Sequence, residues 1–166
     1  DGQELPAGEI GELFLRPYTG AGSTYRYIGA EAKSLEGGWE SLGDMGYMDE
    51  DGYLYLADRQ SDMILSGGAN IYPAEVEAAI DSFPGIRSSA VIGLPHEDLG
   101  NAVHAIVDVP GVDTPDGIAE QALMDHLQER LVRYKLPRSI EFTSEPLRDD
   151  AGKVRRSQLR AERISS

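Results

Sequence analysis

The sequence predicts an α+β chain in two parts: a β-rich stretch, then a small α/β-like unit built from a hairpin, a three-stranded sheet and helices. Two observations carry this. Up to Arg59 the chain reads as short apolar runs joined by Gly- and Asp-rich turn residues. Beyond Asp62 short apolar runs alternate with helical patterns that open on a proline. The change falls between Arg59 and Asp62. It assigns residues 1–59 to the β-rich part and 60–166 to the second unit.

Taken in order, residues 10–15 alternate imperfectly between polar and apolar, as a strand does. Residues 18–37 are rich in Gly and Tyr, with a short helix expected near Ala30. Asp49-Glu50-Asp51-Gly52 is a turn signal joining Met45–Met48 to Tyr53–Leu56, so a hairpin is expected. Gly67-Gly68, after the apolar Met63-Ile64-Leu65, marks a second hairpin. Pro73 suits a first helical turn, where its missing N–H has no partner to lose. That helix, about Ala74 to Ser82, presents Val76, Ala79 and Ile80 on one face and ends at Pro84-Gly85. Ser89–Leu94 and Val103–Val109 read as strands. Thr114-Pro115 caps and opens a helix carrying Ile118, Leu123, Leu127 and Leu131. Ser139–Phe142 is a third strand, and a last helix begins near Ser157. Two strands joined through helices complete a small layer.

Composition narrows the partners. With 40% hydrophobic residues the chain can bury a core. It has no cysteine, so it has neither a disulfide framework nor a thiolate metal site. That fits a reducing, cytoplasmic setting. No apolar run approaches a membrane span, and no signal-peptide pattern is present. A net charge of −14 argues against nucleic-acid backbones and anionic membrane surfaces. A polyanionic small molecule would need cations gathered locally. Lys153, Arg155, Arg156, Arg160 and Arg163 are gathered near the end of the chain; the alternative is a solvated helix face. His96, His104 and His126 lack metal-ligand spacing and are expected at the surface or half-buried.

The run Asp58 to Glu77 carries the most chemistry. Bare glycines at Gly67 and Gly68 leave room for a ligand to lie against backbone. Arg59 offers a planar fork of donors nearby. This run, together with Gly38-Trp39-Glu40-Ser41-Leu42-Gly43-Asp44 and Gly152-Lys153-Val154-Arg155-Arg156, resembles the adenylate-forming enzyme superfamily. That superfamily comprises acyl- and aryl-CoA ligases, luciferases and the adenylation domains of peptide synthetases. The resemblance extends from about Gly8 to about Arg160, with the three motifs in register.

The resemblance implies roles. Asp44 would accept the ribose hydroxyls of ATP, and Arg59 would contact the same ribose. Lys153 would reach the substrate carboxylate and α-phosphate during adenylation, as a point charge on a flexible stem. Gly67 and Gly68 would line the pantetheine tunnel of coenzyme A. Ser61 would stand at the hinge about which the small domain swings. It implies ATP, Mg2+ and coenzyme A, with the metal site, the phosphate loop and the acyl pocket in a large N-terminal domain of which residues 1–59 are the end. Partners would be ATP or AMP, CoA, a carboxylic acid and the remainder of that domain. The chain alone would then not adenylate. Four departures stand out: Ser61 where Lys or Asp is usual, Leu42 where Thr is common, Leu99 where many relatives place Trp, and Asp149-Asp150-Ala151 where small or hydroxyl residues are common. The motif form favours a carboxylate–CoA ligase. An amino-acid-adenylating domain, or a detached lid supporting only thioester formation, remain as alternatives.

Overall fold

A computed structural model describes residues 2–18, 33–111 and 120–165. The helix expected near Ala30, the Thr114-Pro115 cap and Ile118 lie outside the described residues. The chain divides into two compact units, Asp1–Ser61 and Asp62–Ser166.

The first unit is an antiparallel sheet built on one long strand. Strands β1 (Gly11–Leu15), β2 (Ser34–Leu35), β3 (Trp39–Met48) and β4 (Leu54–Arg59) form it, and the other three all pair with β3. The β3–β4 hairpin closes where the sequence places it: Asp49 Oδ1 accepts the N–H groups of Asp51 and Tyr53. Tyr47 and Tyr55 sit opposite each other in that ladder and stack at 4.9 Å. The strand β3 is longer than expected. Gly43 adopts φ +74 within it, a conformation that lets the strand bend while its pairing continues. Gly46 serves close approach instead: a Cβ there would lie 2.5 Å from the Tyr55 carbonyl oxygen. A register shift between Met45 and Gly46 then sets Asp44 opposite Arg59.

The second unit is a five-stranded mixed sheet with helices on both faces. Its elements are β5 (Ile64–Ser66), β6 (Ala69–Ile71), α1 (Pro73–Asp81), β7 (Ser88–His96), β8 (Gly100–Asp108), α2 (Glu120–Gln128), β9 (Ser139–Thr143) and α3 (Arg156–Ile164). Two expectations change here. The hairpin and the three strands are one sheet, because Ser66 pairs with Gly100 at the start of β8. And β7 and β8 are joined by a tight antiparallel turn, not through a helix. Only the β8–β9 pair is parallel, with α2 between them in the chain.

Strand alternation explains the layering. Val91, Val103, Ala105 and Val107 face α1 and α2, packing with Val76, Ile80, Leu123, Leu127 and Leu131. Ala90, Ile92 and Ile106 face the other way, against Leu147, Val154 and Leu159. Strands covered on both faces read as continuous apolar runs, as the central β8 and its edge neighbour β7 do. Leu123 and Leu127 are completely buried, each contributing about 1.5–3 kcal/mol. Asp108, also buried, is paid for by a bidentate pair with Arg87 at 2.7 Å to each oxygen.

Candidate functional site

Asp44 and Arg59 are brought together within the first unit. They are direct cross-strand partners on β3 and β4, with Arg59 Nε 3.9 Å from Asp44 Oδ1. Asp44 therefore lies within a strand. The Asp58 carboxylate accepts the Arg59 backbone N–H at 2.8 Å. Asp44 is partly exposed and Arg59 mostly so. The pair offers a carboxylate that accepts and a guanidinium that donates side by side, a chemistry suited to vicinal hydroxyls next to a charged group. Ser61 is an exposed turn residue at the end of this unit.

In the second unit Gly67 and Gly68 form the turn between β5 and β6. Their φ values, +56 and +84, are those of a type I′ turn, which explains the double glycine. The two differ in surroundings. A Cβ on Gly67 would meet Leu99 at 3.1 Å, whereas one on Gly68 would meet nothing within 4 Å. Leu99 thus packs beside the hairpin and its carbonyl accepts the Gly67 N–H at 3.0 Å.

Lys153 sits at the end of a tight loop closed by a bridge between Arg148 and Val154. Asp149 organises that loop. Its Oδ1 accepts the N–H of Ala151 and of Lys153, both at 3.0 Å. These backbone donors, that of Lys153 foremost, hold the Asp149 carboxyl below its ordinary value. Asp149 therefore makes no hydrogen bond or ion pair with the Lys153 ammonium, although the lysine's charge adds to the lowering of its pKa. One Asp149 oxygen is used on the backbone and the other lies 3.9 Å from Arg155 Nη2, and the Lys153 side chain is exposed, with no hydrogen bond or ion pair among the described residues. An exposed cation is what an anion-directed role requires.

Of the rest of the basic cluster, Arg155 is mostly exposed, 3.9 Å from Asp149 Oδ2, while the other three are spent on the fold. Arg156 grips Glu77 and Asp62. Arg160 Nε donates to the Gly93 carbonyl at 2.7 Å. Arg163 pairs with both oxygens of Glu141 at 2.6 and 2.7 Å. These forks dock a helix that buries no residue of its own. The sequence reading missed them. The available signal was Glu77, which lies four residues after Pro73 and three before Ile80, on the buried side of α1. His104 also departs from expectation. It is buried on the central strand β8, Nδ1 2.8 Å from Ser139 Oγ. No His, Asp or Glu cluster among the described residues is placed to hold a metal ion, so they offer no site for the expected Mg2+. No helix is long and apolar enough to cross a membrane.

A mixed sheet with helices on both faces, a double-glycine hairpin at its edge and an exposed Gly-Lys loop together form a small α+β domain of the kind that ends adenylate-forming enzymes. Residues 75–153 are an AMP-binding enzyme C-terminal domain. The chain is similar to a 2-succinylbenzoate–CoA ligase of Geobacillus kaustophilus, 39% identical over 96% of this chain and 32% of that protein. It is 42% identical to a long-chain-fatty-acid–CoA ligase of Mycobacterium tuberculosis, over 79% of this chain and 25% of that one. Among solved structures it superposes on an anthranilate–CoA ligase in complex with anthranoyl-AMP, with a TM-score of 0.81 and 34% identity, covering 97% of this chain and 31% of that one. The chain thus spans about a third of the length of the relatives it matches.

Proposed function

We propose that this chain is the C-terminal part of an ATP-dependent carboxylate–CoA ligase. The observation that carries the reading is the Lys153 loop: an exposed ammonium with no hydrogen bond or ion pair among the described residues, beside an acidic turn whose Asp149 Oδ1 is used on backbone N–H groups. In the first half-reaction the acid's carboxylate oxygen attacks the α-phosphorus of ATP, and the bond to pyrophosphate breaks. Lys153 would stabilise the charge gathering between the two anions. Asp44 and Arg59 would hold the ribose. In the second, a thiolate attacks the acyl carbon and AMP leaves. The open side of Gly68 gives the thiol's arm a path, and the segment at Ser61 serves as the turning point between poses. CoA as acceptor is supported by the CoA ligases among the relatives. On this reading the phosphate loop belongs to the remainder of the ligase, and the 166 residues by themselves would not adenylate.

The test is the split between half-reactions in a ligase carrying this chain. Lys153→Ala is expected to slow adenylation by at least ~10²-fold, roughly 2.7 kcal/mol. Thioester formation from supplied acyl-AMP stays near wild type. Equal losses in both steps would remove Lys153 from the adenylation site.

A further inference from the structure

The loop that carries Lys153 has almost no packing of its own. Residues 148–153 are all exposed, so the loop's place is set by what holds its two ends. Leu147 and Val154 rest on the small apolar cluster under the sheet. The other anchor is Arg156, three residues beyond Lys153. Its Nε and Nη2 donate to Glu77 at 2.7–3.1 Å, and its Nη1 donates to Asp62 at 3.1 Å. Glu77 is nearly buried and its Oε1 also accepts the Val91 N–H at 2.8 Å. One guanidinium therefore joins the start of α3 to α1, to β7 through the shared carboxylate, and to the segment that enters this unit.

We propose that Arg156 is a positioning residue for Lys153, with Glu77 and Asp62 as the fixed points against which the Lys153 loop is set. Desolvating a carboxylate and a guanidinium to this degree is costly, and an apolar pair of similar volume would hold two helices as well. What an ionic fork adds is register: a planar donor set fits its carboxylates in one orientation only. A side chain that must meet two anions at short range needs that register, because a misplacement of ~1 Å can cost on the order of 10²-fold in rate. The proposal rests on the reading of Lys153 given above, but it makes a claim about loop order that does not depend on it.

The experiment has two arms. In the 166-residue chain, 15N relaxation is measured for wild type, Arg156→Lys and Asp62→Asn. Both variants are expected to lower the order of residues 149–154 while β7 and β8 are unchanged. In a ligase carrying the chain, both half-reactions are measured for the same variants and for Lys153→Ala. Arg156→Lys is expected to slow adenylation about 10- to 100-fold, with thioester formation from supplied acyl-AMP within about twofold. Asp62→Asn acts in the same direction and, at a partly exposed position, keeps the test decisive if Arg156→Lys does not fold. Unchanged loop order, or equal loss in both half-reactions, overturns the positioning role. If loop order falls and Lys153→Ala still adenylates normally, the catalytic reading of Lys153 fails and the positioning of the loop stands.

Discussion

His104 shows how far one side chain's behaviour depends on its surroundings. In sequence it sits in an apolar run, Val103 to Val109, and carries no motif. Folded, it is buried, and burial pushes its pKa below the ordinary histidine value. Glu141, 3.5 Å from Nε2, opposes that shift, and the nearby Arg163 reinforces it. The native state therefore favours neutral His104, while the unfolded chain takes up a proton near pH 6.5. Stability is expected to be full above that pH and to fall as pH drops through about 6.5 toward the lower folded value. Glu141 contributes in a separate window. Arg163 depresses its pKa, so its contribution is lost only below about 4.5. Thermal melting of wild type and His104→Gln between about pH 7.5 and 5.5 separates the two. The variant should lose less stability over that range. Identical slopes would mean that His104 takes up its proton equally in the folded and unfolded states.

At the scale of elements, the β5–β6 hairpin was the most legible part of the site. Gly67-Gly68 between two short apolar runs specifies a type I′ turn, and the φ values are those of one. Sequence alone does not distinguish the two glycines, since both need φ > 0. Their surroundings do: Leu99 crowds Gly67 while Gly68 faces open space. A leucine at Gly68 is thus strained by backbone conformation, at ~1–2 kcal/mol, but not by contact. If the thiol acceptor passes here, Gly68→Leu in a folded ligase should retain adenylation, accumulate acyl-AMP and release little thioester. Quantifying both products after a melting check decides it. Normal thioester turnover would return the glycine pair to a simple turn. The helices were less legible. The period of α1 was readable from Val76, Ala79 and Ile80. That Glu77 on its buried side would find Arg156, far along the chain, was not.

For the whole molecule, the expected change of character near Arg59 and the division into Asp1–Ser61 and Asp62–Ser166 concern different things. One is a pattern of residues, the other a distribution of contacts. The second unit has its own two-sided core, with Val76, Ile80, Val91, Ile106, Val107, Leu123 and Leu127 almost wholly shielded. The first exposes Met48, Tyr53, Leu54, Tyr55 and Leu56 along one hairpin. Residues 62–166 made alone are therefore expected to fold with cooperative thermal unfolding. Residues 1–61 alone, with that apolar strand uncovered, are expected to associate or remain unfolded. Circular dichroism and sedimentation of the two fragments measure this. An unfolded 62–166 fragment would mean that its core depends on the preceding strands.

The sequence by itself determined the local chemistry of this protein: both hairpin turns, the proline-led helix, the apolar strands and the three motifs that resemble adenylate-forming ligases. These are short-range features, dictated by φ preferences and by the two hydrophobic periods. Tertiary structure decided which distant groups meet. It merged hairpin and strands into one sheet through Ser66 and Gly100. It set Asp44 against Arg59 across a register shift. It also turned three of the five terminal cations into structural forks and left Lys153 exposed, with no hydrogen bond or ion pair among the described residues. Whether a charge is spent on a buried carboxylate or kept for a ligand depends on which acids the folded chain places within about 3 Å of it. For Arg156 those acids are Asp62 and Glu77, far away in sequence, and only the packed sheet and helices bring them there.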